Sequence, residues 1–134
     1  MHSSNWREVM RYFSTFVPDQ KTNPLHKPTG AEQEAMGKFV AESIARGEFI
    51  SGGGFLPLNH GCIVRRTNGK AQVIDGPYVE SKELVGGFAM LEYPTREAAI
   101  EGAKRFLEVA GDGECVTYAI MSEEECNDAQ AAAA

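Results

Sequence analysis

The chain has 134 residues and a formal net charge of −6, a size that buries roughly two-thirds of its unfolded surface in one core without disulfide or metal staples. Glu123, Glu124, Glu125 and Asp128 supply most of that negative charge and no Lys or Arg follows Arg105, so the body is near neutral and lacks the basic footprint of a phosphate-backbone binder. The three cysteines, Cys62, Cys115 and Cys126, are far apart and offer neither a disulfide framework nor zinc-ligand spacing.

Residues 1–8 form a polar leader with no apolar core of a secretory signal, and no apolar run nears the ~20 residues of a membrane span. Nucleic acid and membrane are therefore not expected as partners, and a reducing, cytoplasmic setting is. Val9 to Val17 is rich in aromatic and β-branched residues and stops at Pro18, which predicts a first strand with both faces at least partly covered. Residues 19–28, with Pro18-Asp19, Asn23-Pro24 and Lys27-Pro28, read as an exposed loop that contains His26.

Thr29-Gly30-Ala31-Glu32 matches a capping box. Met36, Val40, Ser43 and Gly47, flanked by Phe39 and Ile44, then follow a 3.6-residue period, predicting a helix of about 16 residues with Gly47 at its C-cap. Phe49-Ile50-Ser51 and Phe55-Leu56 flank Gly52-Gly53-Gly54, a short strand interrupted where the backbone bends or is closely approached. A phosphate loop would need G-K-[ST] after these glycines, and none follows.

Asn68-Gly69 is the dipeptide best suited to a type I′ turn, so Cys62 to Thr67 and Lys70 to Asp75 form a hairpin. A two-residue loop pairs Thr67 with Lys70, Arg66 with Ala71, Arg65 with Gln72, Val64 with Val73, Ile63 with Ile74 and Cys62 with Asp75. The hairpin is apolar on both faces at its base and polar at its tip, which predicts a sheet covered by helices on one side and by something else, such as another subunit, on the other. Leu84 to Tyr93 is the next strand. Thr95 then caps a helix with Ala99, Ala103, Phe106, Leu107 and Ala110 on its apolar face, ended by Gly111 and Gly113. Cys115 to Met121 is the last strand, and residues 122–134 are expected to be disordered.

The order β-α-β-ββ-β-α-β predicts an α+β domain over residues 9–121, a ferredoxin-like split βαβ sheet with an embedded β-hairpin. With these elements in place, the Asp75-Gly76-Pro77-Tyr78 corner and Glu80-x-Lys82-Glu83-x-x-Gly86-Gly87-Phe88 resemble the YCII-related family, in its DGPF-type branch. Met10-Arg11-Tyr12, Gly53-Gly54 with Leu56-Pro57, and Thr95-Arg96-Glu97-Ala98-Ala99 support the likeness over about residues 9 to 121. It implies a ferredoxin-like domain that dimerises into an α/β barrel, usually with no assigned reaction. Tyr78 stands where the branch usually has Phe. Members of the wider family with a proposed His–Asp pair carry the His near the first helix; here residues 29–47 hold none, and only the Asp maps, onto Asp75.

The candidate chemistry gathers at that corner. In the derived register His60 faces Pro77, so His60 and Asp75 are diagonal neighbours within side-chain reach, about 7–8 Å between Cα atoms. A carboxylate beside an imidazole orients it and raises its basicity, which suits a general base. The plainer reading has Asp75 capping the Gly-Pro turn and His60 solvated. His26 is the lesser alternative partner. Tyr78 can donate to a ligand oxygen or simply pack under the corner, Glu80 can line a pocket rim or belong to a solvated turn, and Arg66, with Arg65, can hold an anion or face solvent or a partner. Cys62 is read as core packing, because a carboxylate opposite it would raise its pKa.

Two functions follow: an acid–base enzyme using Asp75 and His60, or a non-catalytic dimeric binding or regulatory module in which the Asp75 corner is structural. A homodimer, a possible small-molecule ligand, and neither cofactor nor metal are expected in either case.

Overall fold

The protein is described by a computed structural model covering residues 9–74 and 85–127. Strand β1 (Met10–Pro18) leads through the loop to helix α1 (Gly30–Ala45) and strand β2 (Phe49–Gly54). A 3-10 turn (Leu58–His60) precedes the hairpin strands β3 (Ile63–Thr67) and β4 (Lys70–Ile74), and β5 (Gly87–Tyr93), α2 (Arg96–Ala110) and β6 (Gly113–Ala119) complete the order. The main sheet has four strands in the order β2-β5-β1-β6, and every adjacent pair is antiparallel. This is an α+β architecture with its helices on one face of the sheet, compatible with a ferredoxin-like arrangement.

Strand periodicity decides which residues the helices cover. Tyr12, Ser14 and Phe16 of β1 point to the helical side. Tyr12 joins Tyr93 and Ala99 in the core, with its ring 6.1 Å from that of Tyr93, and the Phe16 ring meets Phe106 of α2 edge-on at 5.3 Å. Phe39 of α1 reaches the same Phe106 at 6.1 Å, so one aromatic side chain links both helices to the central strand. Ser14 Oγ and Thr117 Oγ1 lie 3.0 Å apart on this side, which satisfies two hydroxyls that burial would otherwise penalise.

Both helices start as their sequences dictate. Thr29 Oγ1 accepts from the Glu32 N–H at 3.1 Å and the Glu32 carboxylate accepts from the Thr29 N–H at 2.9 Å, a complete capping box. Thr95 Oγ1 likewise accepts from the Ala98 N–H. The α1 stripe holds at Met36, Phe39, Val40 and Ser43, whereas Ile44 is exposed. Gly47 lies one residue beyond the C-cap, which is Arg46.

The hairpin register is the derived one from Thr67↔Lys70 to Ile63↔Ile74, with Asn68 (φ 53) and Gly69 (φ 80) in the left-handed region that a type I′ turn demands. Its placement differs from expectation: β3 and β4 form a separate two-stranded sheet rather than part of the main one. Cys62, expected in the core, is exposed, because no described element packs a core beneath the hairpin. The three glycines of β2 do not interrupt it, and the irregularity falls between Phe49 and Ser51 as a shift in register with β5. Within the stretch expected to be disordered, residues 123–127 are helical, with Ser122 and Glu125 exchanging backbone and side-chain hydrogen bonds at 3.1 Å. No helix among the described residues is long and apolar enough to cross a membrane.

Candidate functional site

Asp75, Tyr78 and Glu80 lie outside the described residues, as does the rest of the corner from Asp75 to Leu84. His60 does not sit on β3 as the extrapolated register required. It ends the 3-10 turn, its backbone N–H bonded to the Pro57 carbonyl at 3.0 Å, and Gly61 and Cys62 separate it from the first paired residue, Ile63. The His60 residue is exposed, and its ring finds no hydrogen-bond partner among the described residues. Arg66 is exposed beside the hairpin turn, with its Nη2 lying over Gly69.

His26, the lesser candidate, is firmly engaged elsewhere. Its Nδ1 lies 2.7 Å from the Pro24 carbonyl and its Nε2 is 3.0 and 3.1 Å from the two Glu32 oxygens. Two acceptors facing two ring nitrogens require both nitrogens to donate, which favours imidazolium. The Pro24 carbonyl, followed by the Glu32 carboxylate, raises the His26 pKa above its ordinary 6.5, and the Thr29 N–H and His26 together hold Glu32 below its ordinary 4.5. A ring with both nitrogens occupied cannot take a proton from a substrate, so His26 fastens the loop to the start of α1.

The sign of its pH dependence follows. A raised folded-state pKa contributes stability that is fully present below pH 6.5 and is lost as pH rises through the folded value. Glu32 contributes stability present above 4.5 and lost as pH falls through its lowered value. Thermal melts of the native protein should therefore fall as pH rises above 6.5, and His26→Gln should flatten that dependence. An unchanged pH profile in the variant would show that the clamp does not hold in solution.

A second polar assembly, not anticipated from the sequence, surrounds Glu48. Arg46 Nε donates to Glu48 Oε1 at 3.0 Å and Arg105 Nη2 donates to the same oxygen at 3.4 Å, while Arg105 Nε is buried with no partner among the described residues. Nearby, Arg11 Nε meets Glu92 Oε2 at 2.9 Å. A cleft of about 430 Å³ is lined by Arg46, Glu48, Glu92 and Tyr93 among others. Burial, and next the Glu48 carboxylate, raise the Tyr93 pKa, so its phenol stays neutral. Arg46 and Glu48 are two residues apart at the end of α1, whereas Arg105 of α2 reaches Glu48 across 57 residues of sequence, a tertiary adjacency with no local sequence signal. Among the described residues, no group of three or more His, Cys, Asp and Glu is placed to hold a metal ion.

The sheet face opposite the helices is open among the described residues. Phe55, just after β2, stacks on Phe88 of β5 at 5.5 Å, and Phe88 stacks on Phe13 of β1 at 5.9 Å. Tyr118 and Val116 of β6 continue the same face at 59% and 38% exposure. Phe88, Met90 and Glu92 share it, with Glu92 satisfied by Arg11 at the end of the strand. Aromatic rings stacked on a surface that no described element covers are what a contact site requires.

No curated protein matches the chain. The family model for the YCII-related domain matches residues 10–123, the span that carries both helices, the four-stranded sheet and the hairpin. The chain therefore belongs to the YCII-related domain family.

Proposed function

We propose that this protein of the DGPF-type branch works as a homodimeric small-molecule-binding module, its two copies meeting over the open sheet face in the manner of a dimeric α/β barrel. The observation that carries the reading is the Phe55–Phe88–Phe13 stack on that face, over which no described element lies. A second copy presenting the same surface would bury each stack against the other, the self-complementary contact of a two-fold dimer. The ligand site in this reading lies at the Asp75 corner, with Tyr78 and Glu80 near it and Arg66 on the adjoining hairpin. Sedimentation at micromolar concentration should give twice the chain mass of 14.6 kDa; a monomer there would overturn the reading.

His60 supports a second reading, an acid–base enzyme, because its ring is solvent-accessible and uncommitted where that of His26 is not. In that case a ligand found by thermal-shift screening should lose its effect in both His60→Gln and Asp75→Asn. Retention of the effect in His60→Gln would leave the binding module as the better account.

A further inference from the structure

We infer that the β3–β4 hairpin of one copy docks along the edge strand β6 of the other, with its basic tip against the acidic turn that follows β6. The inference rests on the two-copy reading above and names which surfaces meet beyond the sheet face.

The hairpin is incomplete by itself. Val64 and Val73 pair with each other across it and are 60% and 62% exposed, and an isolated two-stranded hairpin is marginal in water. Residues 63–74 carry Arg65, Arg66 and Lys70 and no acidic residue, and none of the three cations has a carboxylate partner among the described residues. Among the described residues, nothing both apolar and acidic covers it.

Strand β6 offers that combination. It is at the end of the strand order, so among the described residues only β1 pairs with it and its outer backbone groups are open for pairing. Along it Val116 and Tyr118 are exposed, and Glu123 and Glu124 follow in the exposed helical turn of residues 123–127. Glu125 is already committed to the Ser122 N–H, but neither Glu123 nor Glu124 has a cationic partner among the described residues. The hairpin runs from its valines to its cations and the β6 segment from its apolar side chains to its carboxylates, so the two match in order as well as in charge.

The test exchanges the charges. Arg65→Glu/Arg66→Glu and Glu123→Lys/Glu124→Lys should each weaken the dimer, by about ten-fold at low salt for a set of facing charges, and the four substitutions in one chain should restore it. The first variant makes the net charge of −6 more negative and the second less so. General repulsion would therefore weaken one and strengthen the other; only direct pairing weakens both. Dimerisation as tight as that of the native chain in the hairpin variant would overturn the inference and leave the hairpin to a different partner, while the two-copy reading stood. Failure of the fourfold variant to recover would overturn it equally. A native chain that is monomeric at 100-fold higher concentration than the sedimentation run would remove both. Circular dichroism of each variant confirms that the fold is intact.

Discussion

Gly102→Ala should lower the stability of the protein even though it places a better helix former in the interior of α2. Helix propensity alone would favour the change by up to about 1 kcal/mol. At this position, however, a Cβ would overlap the Tyr93 hydroxyl and sit 2.6 Å from Cζ of the ring. Tyr93 cannot easily yield, since it is 5% exposed and packed with Tyr12 and Ala99. Overpacking of this kind costs about 1–3 kcal/mol, so the collision outweighs the propensity gain. Gly37 in α1 supplies the contrast, because nothing lies within 4 Å of its would-be Cβ and Gly37→Ala should stabilise by about 0.5–1 kcal/mol. Denaturant titration of the two variants should give opposite signs. A stabilised Gly102→Ala would mean that Tyr93 swings out of the core at little cost.

In the proposed two-copy arrangement, Phe88→Asp should leave a folded monomer. Phe88 is the middle ring of the stack, points away from the helices and is half-buried, so a carboxylate there keeps part of its hydration in a single chain. Between two copies the same carboxylate would lose its water with no cation opposite it, a penalty of several kcal/mol. Each 1.4 kcal/mol weakens association tenfold, which places the expected loss at about a hundred-fold or more. Tyr118→Ser, at a more exposed site on the same face, should weaken the dimer less and disturb the fold hardly at all. Sedimentation across a concentration series separates these results, and a Phe88→Asp protein that remained dimeric would place the contact elsewhere.

The elements most legible in the sequence were those fixed by local chemistry. Asn68-Gly69 determined its turn and, through it, five residue pairs of the hairpin; Thr29 and Glu32 determined the start of α1. Ser122-Glu123-Glu124-Glu125 is an equally plain capping signal, which a reading of the tail by its acidic composition passes over. The hairpin's separation from the main sheet was not legible, since pairing within a hairpin is local while its docking depends on what lies beneath. The candidate site was read only in part for the same reason. Placing His60 by extending a strand register ignored Pro57, which starts a 3-10 turn and takes the residue out of the ladder. His26 read as a loop histidine and the lesser alternative partner of Asp75, whereas its bond to Glu32 depends on how residues 24–29 fold back onto the helix. Gly102 carried no mark in the sequence that distinguished it from an ordinary weak helix position, because its necessity comes from a ring on another element.

The strand order also bears on how the chain acquires its fold as it is made. Strand β1 lies between β5 and β6, whose residues 87–93 and 113–119 leave the ribosome long after it does. Until then β1, with Phe13 and Phe16, has no sheet partner, and α1 has no α2 to pack against. Such distant pairings slow folding and prolong the exposure of apolar strands. The central strand is therefore enclosed on both edges only once the chain has been made through residue 119.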